Sequence, residues 1–348
     1  MADDPAPPIE LLTLRANGLR HRVAICGPRR GPLVCLMHGW PESWYSWRHQ
    51  LRALGGAGYC AIAPDMRGYG GTDAPDSIDA YAIQHIAADM LGLLDAFGRD
   101  TCALVGHDWG AVCCWLIGLL HPSRFVALAG FSVPYAGRGA SPPSAIYDAM
   151  TEGGEKFLYI SYHNEAGGVA EAEYDAAPRT LLRRLFAEGR QPRAAPEITD
   201  KRRAAGGFIG RMGEPESLPA WISEADVDYF VAAFERSGFR GGLNYYRNLD
   251  RNWASTASLS GATIAQPALF VAGAADKTLN LYGGAERAVK AFLRKAPRGE
   301  TIILPDSGHW IQQERTTECS DALLRFLAPL RASIDARAPV RIGGVSKL

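Results

Sequence analysis

Thr101-Cys-Ala-Leu-Val105 followed by Gly106-His107-Asp108-Trp109-Gly110 is the stretch that decides how this chain folds. The apolar run before Gly106 has the length of a buried β-strand, and the apolar residues after Gly110 are compatible with a helix. A very sharp turn between a strand and a helix needs small residues on both sides of its centre, because larger side chains would collide. The strained centre exposes its side chain above the sheet. Asp108 is therefore predicted to be a nucleophile, although the same pattern also occurs in plain turns where an aspartate caps a helix.

Short apolar runs bounded by turn residues recur along the chain and have almost no polar alternation, as expected for parallel strands covered on both faces. They are Leu33–Met37, Tyr59–Ala63, Cys102–Val105, Val126–Ala129, Ala268–Ala272 and Thr301–Leu304. Before them, Leu11–Leu14 and Leu19–Ile25 flank a hairpin turn at Asn17-Gly18. A helix is predicted from Ile78 to Phe97, with Ser77 as its cap. The pattern predicts a doubly wound, mostly parallel α/β sheet with an antiparallel start.

The strand–helix alternation stops near Gly137 and resumes near Ala268. In between, prolines, arginines and helical patterns dominate, and Ser223-Glu-Ala-Asp226 forms a capping box ahead of a helix over Val227–Phe234. We therefore predict an α/β core in residues 1–137 and 251–348, with a helical lid in residues 138–250. A lid of this kind is expected over the carboxyl ends of the strands, where open α/β sheets bind ligands.

Composition excludes several functional classes. The 348 residues include 37 basic and 37 acidic side chains, so charge gives no reason to expect binding to nucleic acid or to a membrane surface. The longest apolar run, Trp109–Leu120, is shorter than the roughly 20 residues of a membrane span. The seven cysteines show no CxxC spacing and are expected as buried free thiols of a cytoplasmic protein. No histidine pair has metal-ligand spacing, so no metal is predicted.

An aspartate at the centre of the turn indicates a particular chemistry. A serine there suits acyl substrates, whereas a carboxylate suits displacement at a saturated carbon and forms an ester with the substrate. Water must then attack the carbonyl of Asp108, which requires an oxyanion hole. His38-Gly39-Trp40-Pro41 closes the first buried strand. The backbone N–H groups of Trp40 and Trp109 are therefore predicted to bind the oxyanion.

A general base and its acidic partner are expected after later strands. His309 lies in Gly308-His309-Trp310, just after the last predicted strand, and Asp276 follows the strand before it. The segment 131–135 offers no competing carboxylate. Asp276 is predicted to hold the tautomer of His309 and to stabilise its imidazolium form. His107, although next to the nucleophile, is expected to point away from the site, and His38 to brace its loop.

These motifs together resemble the epoxide hydrolase family of α/β-hydrolases, over nearly the whole chain. The resemblance implies the α/β-hydrolase fold, conversion of an epoxide to a diol without a cofactor, and a cis peptide between Trp40 and Pro41. His38, Pro41 and Trp310 are expected in the substrate pocket. The surrounding aromatic residues favour an apolar epoxide.

Two lid segments also resemble those that carry the family's tyrosines. Tyr159-Ile-Ser-Tyr162 and Tyr245-Tyr246 imply Tyr159 and Tyr246 as the two donors, with Tyr162 and Tyr245 as alternatives. Ring opening leaves an alkoxide, which departs only if it is hydrogen-bonded or protonated as it forms. A phenol stays protonated at neutral pH, since its reference pKa is about 10, and donates well.

Two other functions fit parts of the pattern. A haloalkane or fluoroacetate dehalogenase would use the same aspartate nucleophile and would release halide instead of forming a diol. A catalytically silent α/β-hydrolase would bind a hydrophobic ligand without turnover, although every expected catalytic position is present in this chain. The sequence is compatible with a monomer or a homodimer.

Overall fold

The computed structural model describes residues 7–165, 167–187, 191–334 and 346–347. The backbone separates into two compact units. The first comprises Met1–Met66, Ile83–Gly137 and Gly261–Leu348, and the second comprises Arg67–Ala82 and Arg138–Ser260. The predicted lid boundaries at residues 138 and 250 stay a prediction.

The first unit is built on one mixed β-sheet. Its strands are β1 (Glu10–Ala16), β2 (Leu19–Cys26), β3 (Leu33–Met37), β4 (Cys60–Pro64), β5 (Cys102–His107), β6 (Phe125–Phe131), β7 (Ala268–Gly273), β8 (Gly299–Leu304) and β9 (Ser346–Lys347). Their order is β8-β7-β6-β5-β3-β4-β2-β1-β9. Strands β3 to β8 pair in parallel, whereas β1 pairs antiparallel with β2 and β9, and β2 pairs antiparallel with β4. The predicted mostly parallel sheet with an antiparallel start is confirmed.

The parallel strands form because their residues are apolar on both faces. Every residue of β3, β4, β5 and β7 is buried, which is the pattern of strands covered by helices on both sides. Parallel strands also place all their carboxyl ends at the same edge of the sheet. That edge carries the residues that follow β3, β5, β6 and β7, which are His38, Asp108, Ser132 and, three residues beyond Gly273, Asp276.

The helices of the described residues are α1 (Arg48–Gly56), α2 (Ile83–Ala96), α3 (Trp109–Leu120), α4 (Pro143–Met150), α5 (Tyr159–His163), α6 (Val169–Ala176), α7 (Pro178–Phe186), α8 (Glu224–Ser237), α9 (Arg240–Arg247), α10 (Leu249–Ser255), α11 (Ala285–Lys295), α12 (Ile311–Glu314) and α13 (Thr316–Leu327). Short 3-10 helices cover Trp44–Trp47, Ile78–Tyr81, Glu152–Gly154, Arg203–Ala205, Ile209–Arg211, Ala257–Leu259, Lys277–Tyr282 and Ala328–Leu330. Helices α4 to α10 belong to the second unit. Within the described ranges, no helix is long and apolar enough to cross a membrane.

Two predicted helix starts have different outcomes. The helix expected from Ile78 begins as a 3-10 turn over Ile78–Tyr81, and α2 starts only at Ile83. Ala82 separates them with an extended backbone, at φ −64° and ψ 153°, and the side chain of Ser77 makes no capping bond. At α8, by contrast, the capping box is confirmed. The Ser223 hydroxyl accepts from the N–H of Asp226, and the Asp226 carboxylate accepts from the N–H of Ser223.

All seven cysteines are free and buried, as the sequence predicts. Burial raises the pKa of every one of these thiols above its ordinary value. The thiols of the first unit therefore stay protonated at neutral pH and pack as small apolar side chains.

We expect Ser223→Ala to lower the free energy of unfolding by about 1 kcal/mol, because it removes the oxygen that satisfies an N-terminal N–H of α8. Ser77→Ala is the matched control, since Ser77 makes no capping bond, and it should leave stability unchanged. Urea denaturation followed by circular dichroism compares the two variants with the wild type. Equal losses from both substitutions would contradict the difference between the two helix starts.

Candidate active site

Asp108 lies at the turn between β5 and α3. Its backbone has φ 52° and ψ −119°, a conformation that is strained for a residue with a Cβ atom. The neighbouring glycines make the turn possible. A Cβ on Gly106 would lie 2.0 Å from the carbonyl oxygen of Gly110, and one on Gly110 would lie 2.1 Å from that of Met37. The predicted sharp turn is therefore present, with the Asp108 carboxylate at the carboxyl edge of the sheet.

The loop after β3 supplies a hydrogen bond to this carboxylate. The backbone N–H of Trp40 donates to Oδ1 of Asp108 at 2.9 Å. The Trp40–Pro41 peptide is cis, as the family resemblance implies. Trp109 directly follows Asp108 and is the first residue of α3. One predicted oxyanion donor thus already points at the oxygen on which charge would collect.

His309 and Asp276 lie on the other side of the carboxylate. Nε2 of His309 is 3.6 Å from Oδ2 of Asp108, and Nδ1 is 3.2 Å from both carboxylate oxygens of Asp276. The backbone on both sides of His309 is fixed by Glu314, whose carboxylate accepts from the N–H groups of Gly308 and Trp310. The structure therefore brings together all three residues predicted as nucleophile, base and acid.

Burial and the neighbouring charges shift the pKa of His309 in opposite directions. Burial alone would lower the pKa of His309, but the carboxylates of Asp276 and Asp108 raise it well above its usual value. For Asp276, burial would raise the pKa, yet the charge of His309 and the hydrogen bonds from His309, Ser132 and Thr278 lower it to about 2. Asp276 is therefore ionised at neutral pH, as expected for an acid that orients a histidine and stabilises its imidazolium form.

Two hydroxyl groups near His309 were missed by the sequence analysis. Ser132, directly after β6, donates a hydrogen bond from Oγ to Oδ2 of Asp276, and this Oγ lies 2.8 Å from Nδ1 of His309. Oγ1 of Thr278 lies 3.1 Å from the same nitrogen. The segment 131–135 contains a serine but no carboxylate. A hydroxyl at the end of a predicted strand was the signal that could have identified Ser132.

The prediction for His107 is wrong, because this side chain contacts the histidine loop. Its Nδ1 lies 2.7 Å from the carboxylate of Glu42, and its Nε2 lies 2.8 Å from the backbone carbonyl of His309. The carbonyl of His309 can only accept, so Nε2 of His107 donates to it, and Nδ1 faces the Glu42 carboxylate. Glu42 also accepts from the N–H of Gly39, at 2.8 Å, and from the side chain of Gln312, at 2.9 Å. One buried carboxylate therefore connects the loops that carry Trp40 and His309.

The expected pocket residues have different surroundings. His38 is fully buried, with Nδ1 hydrogen-bonded to the carbonyl of Gly39 and Nε2 accepting from the N–H of Met66. These two backbone bonds favour its loop-bracing role over a pocket role. The ring of Trp310 lies edge-on to that of His309, with 4.7 Å between centroids. Pro41 is buried beside Trp40.

In the second unit, the candidate tyrosines fall into two groups. The hydroxyl of Tyr162 donates to Glu173 at 2.9 Å, and that of Tyr245 donates to the backbone carbonyl of Arg67 at 3.2 Å. The rings of Tyr159 and Tyr246 pack edge-to-face, with 6.2 Å between their centroids. The choice of Tyr159 and Tyr246 over Tyr162 and Tyr245 as the two donors stays a prediction.

No set of three or more His, Cys, Asp and Glu side chains in the described ranges is arranged to hold a metal ion.

The fold and the strained aspartate turn define an α/β-hydrolase, and a family model described as alpha/beta hydrolase fold matches residues 32–158. The chain is 45% identical to Epoxide hydrolase A of Mycobacterium tuberculosis, over 90% of this chain and 96% of that protein. It is 39% identical to Epoxide hydrolase 2 of Siraitia grosvenorii, over 92% of this chain and 98% of that protein. The crystal structure of Epoxide Hydrolase A from Mycobacterium thermoresistibile matches with a TM-score of 0.83 at 43% identity, covering 92% of this chain and 98% of that one. The chain therefore belongs to the epoxide hydrolase family.

Asp276→Asn should lower the pKa of His309, because the negative charge that favours the imidazolium form is removed. The matched control is Asp306→Asn, which removes an exposed carboxylate three residues before His309 and should leave that pKa unchanged. NMR titration of ¹⁵N-labelled histidine measures both variants, with the His309 signal assigned from its loss in His309→Gln. An unchanged His309 pKa in Asp276→Asn would contradict the electrostatic role of Asp276.

Proposed function

We propose that this protein converts an epoxide and water into a vicinal diol through a covalent ester on Asp108. The arrangement around the Asp108 carboxylate carries this proposal. Oδ1 accepts the N–H of Trp40, and Oδ2 lies on the side of His309, which is backed by Asp276. One oxygen is thus held by an oxyanion donor while the other is available to attack.

In the first step, Oδ2 of Asp108 attacks a ring carbon of the epoxide and the carbon–oxygen bond of the ring breaks. The departing oxygen becomes an alkoxide, which Tyr159 and Tyr246 hydrogen-bond and protonate. Both tyrosines lie in the segment 138–250, which we propose as the lid. The support for this pair is that Tyr162 and Tyr245 already donate to acceptors within the second unit.

In the second step, His309 takes a proton from water at Nε2 while the water oxygen attacks Cγ of Asp108. The negative charge collects on Oδ1, where the N–H groups of Trp40 and Trp109 stabilise it. The tetrahedral intermediate then expels the diol oxygen, which receives the proton from His309, and Asp108 is left as a carboxylic acid that holds the second water proton. Loss of that proton regenerates the Asp108 carboxylate, and uptake of one proton restores the phenol that protonated the alkoxide. The cycle uses neither a cofactor nor a metal.

Formation of the ester on Asp108 also lowers the pKa of His309, the base of the second step. The charge of Asp108 is one of the causes that raise the pKa of His309 in the free protein. An ester is neutral, so this contribution disappears once Asp108 is alkylated and the pKa of His309 falls. The imidazole is therefore released to its neutral form at the stage at which it must accept a proton.

We also propose that the substrate is apolar and that the protein works in the cytoplasm. Trp40, Trp109 and Trp310 are buried residues within or beside the proposed catalytic group, which favours alkyl or aryl epoxides. Seven free, buried thiols are typical of a reducing compartment. Rates on styrene oxide that greatly exceed those on the charged epoxysuccinate would support the substrate class, and comparable rates would oppose it.

His309→Gln should form the ester and fail to hydrolyse it, because the base for water is lost while the nucleophile remains. With styrene oxide, mass spectrometry should show the protein heavier by one substrate, with the added mass on the peptide that contains Asp108. His121→Gln, at the opposite end of α3, is the matched control and should turn over like the wild type. In ¹⁸O-water, a single wild-type turnover should give unlabelled diol and a labelled Asp108 peptide.

Labelled diol in that single turnover would mean direct attack by water and would remove Asp108 as the nucleophile. Halide release from chloroalkanes or fluoroacetate, with no diol from any epoxide, would replace the proposal with a dehalogenase.

Tyr246→Phe should slow ester formation roughly 10-fold to 100-fold, because one of the two acids that support the departing oxygen is removed. Tyr159→Phe should behave similarly. The controls are Tyr245→Phe and Tyr162→Phe, which lose hydroxyls bonded within the second unit and should affect stability more than ester formation. Stopped-flow tryptophan fluorescence measures the rate of ester formation. The assignment would fail if a control slowed ester formation more than its neighbour.

A further inference from the structure

Ser132 occupies an unusual position at the end of β6. It is fully buried, and its backbone has φ 70°, in the left-handed region. Its N–H nevertheless donates to the carbonyl of Val271 at 2.8 Å, so the pairing between β6 and β7 continues through this residue. A non-glycine residue in this conformation is strained, and such strain persists only where the surroundings maintain it. Here the strained backbone directs the hydroxyl of Ser132 between Asp276 and His309.

The hydrogen atoms in this cluster can be assigned from its partners. When His309 acts as a base at Nε2, its remaining proton is on Nδ1. Four oxygens surround that N–H, namely both carboxylate oxygens of Asp276 at 3.2 Å, Oγ1 of Thr278 at 3.1 Å and Oγ of Ser132 at 2.8 Å. The hydrogen of the Ser132 hydroxyl is donated to Oδ2 of Asp276. Oγ therefore offers its lone pair to Nδ1–H, and it is the nearest of the four acceptors.

We infer that Ser132 is a positioning residue for the base, whose hydroxyl donates to Asp276 and accepts from His309, and so holds the imidazole for attack of water on the ester. This inference rests on the proposed function. The hydroxyl of Ser132, which directly follows β6, thus lies between the side chains of Asp276 and His309.

The two oxygens of the Asp276 carboxylate accept from different donors, and this arrangement explains how the Ser132 hydroxyl affects His309. Oδ1 of Asp276 accepts the backbone N–H of Thr278 at 2.8 Å, while Oδ2 accepts the hydroxyl of Ser132. A hydroxyl polarised by a carboxylate is a better acceptor than an isolated one, because hydrogen bonds in a chain strengthen each other. Its position also fixes the plane of the His309 ring. The contact serves only the step in which His309 accepts a proton, so it should not affect attack by Asp108.

The test uses two substitutions at Ser132 because its backbone is strained. Ser132→Ala removes the hydroxyl and keeps the Cβ atom, whereas Ser132→Gly removes both and relieves the strain. Thr278→Val is the matched control, since it removes the more distant hydroxyl and keeps the N–H bond to Asp276. Each full-length variant is mixed with styrene oxide in a single turnover. Stopped-flow tryptophan fluorescence separates formation of the Asp108 ester from its hydrolysis.

Both Ser132 variants should form the ester within about twofold of the wild-type rate and hydrolyse it about 10-fold to 100-fold more slowly, as expected for a misplaced catalytic group. The pH midpoint of ester hydrolysis should move to lower pH, because an acceptor that favours the imidazolium form is lost. Thr278→Val should show smaller changes. A structural role alone would not shift this midpoint.

Normal hydrolysis and an unchanged midpoint in Ser132→Gly would overturn the inference, since the hydroxyl would then be unnecessary. Equal slowing of ester formation and hydrolysis would also overturn it, because that result means general distortion. These outcomes leave the proposed function intact. If the wild type forms no ester, the proposed function fails, and the role assigned to Ser132 fails with it.

Discussion

The backbone at Asp108, with φ 52° and ψ −119°, is in a conformation that costs about 1–3 kcal/mol for a residue with a side chain. The central strands maintain it. β5 lies between β3 and β6, and the N–H of Asp108 donates to the carbonyl of Phe131 at 3.3 Å. Because β5 ends just before Asp108 and α3 starts just after it, the side chain belongs to neither element and lies above the edge of the sheet. The contacts of Trp40 and His309 with Asp108 depend on this fixed position of the carboxylate.

The neighbouring strands also determine the positions of the residues around Asp108. The parallel sheet brings the ends of β3, β6 and β7 to the same level, and so brings residues distant in sequence within hydrogen-bonding range. Ser132 and Asp276 are 144 positions apart, and Ser132 and His309 are 177 positions apart. Glu42 and His107 then connect the loop after β3 to the backbone of His309. The contacts that Asp108, Asp276 and His309 make with one another thus depend on strand order, because they join residues distant in sequence.

The fold could be predicted wherever the sequence pattern is strong and local. The run Leu33–Met37 is strand β3 without change, and the box at Ser223 starts α8. Prediction failed at Ser77, because a cap residue specifies a helix only if the following backbone stays helical, and Ala82 is extended. Chain order together with the family resemblance was enough to predict that Asp108, Asp276 and His309 lie together, as they do. The contacts of Ser132 and His107 could not be obtained in that way. They depend on which strand ends are adjacent, and a single sequence does not specify this for a serine or a second histidine.

The burial of every cysteine has a consequence for a protein that binds epoxides. An epoxide is an alkylating agent, and the thiolate is the side-chain form that reacts with it most readily. All seven thiols are enclosed, and their pKa values are raised by burial. The thiols are thus both protonated and inaccessible to an alkylating reagent. The same packing that fills the core therefore shields these seven thiols from alkylation by an epoxide.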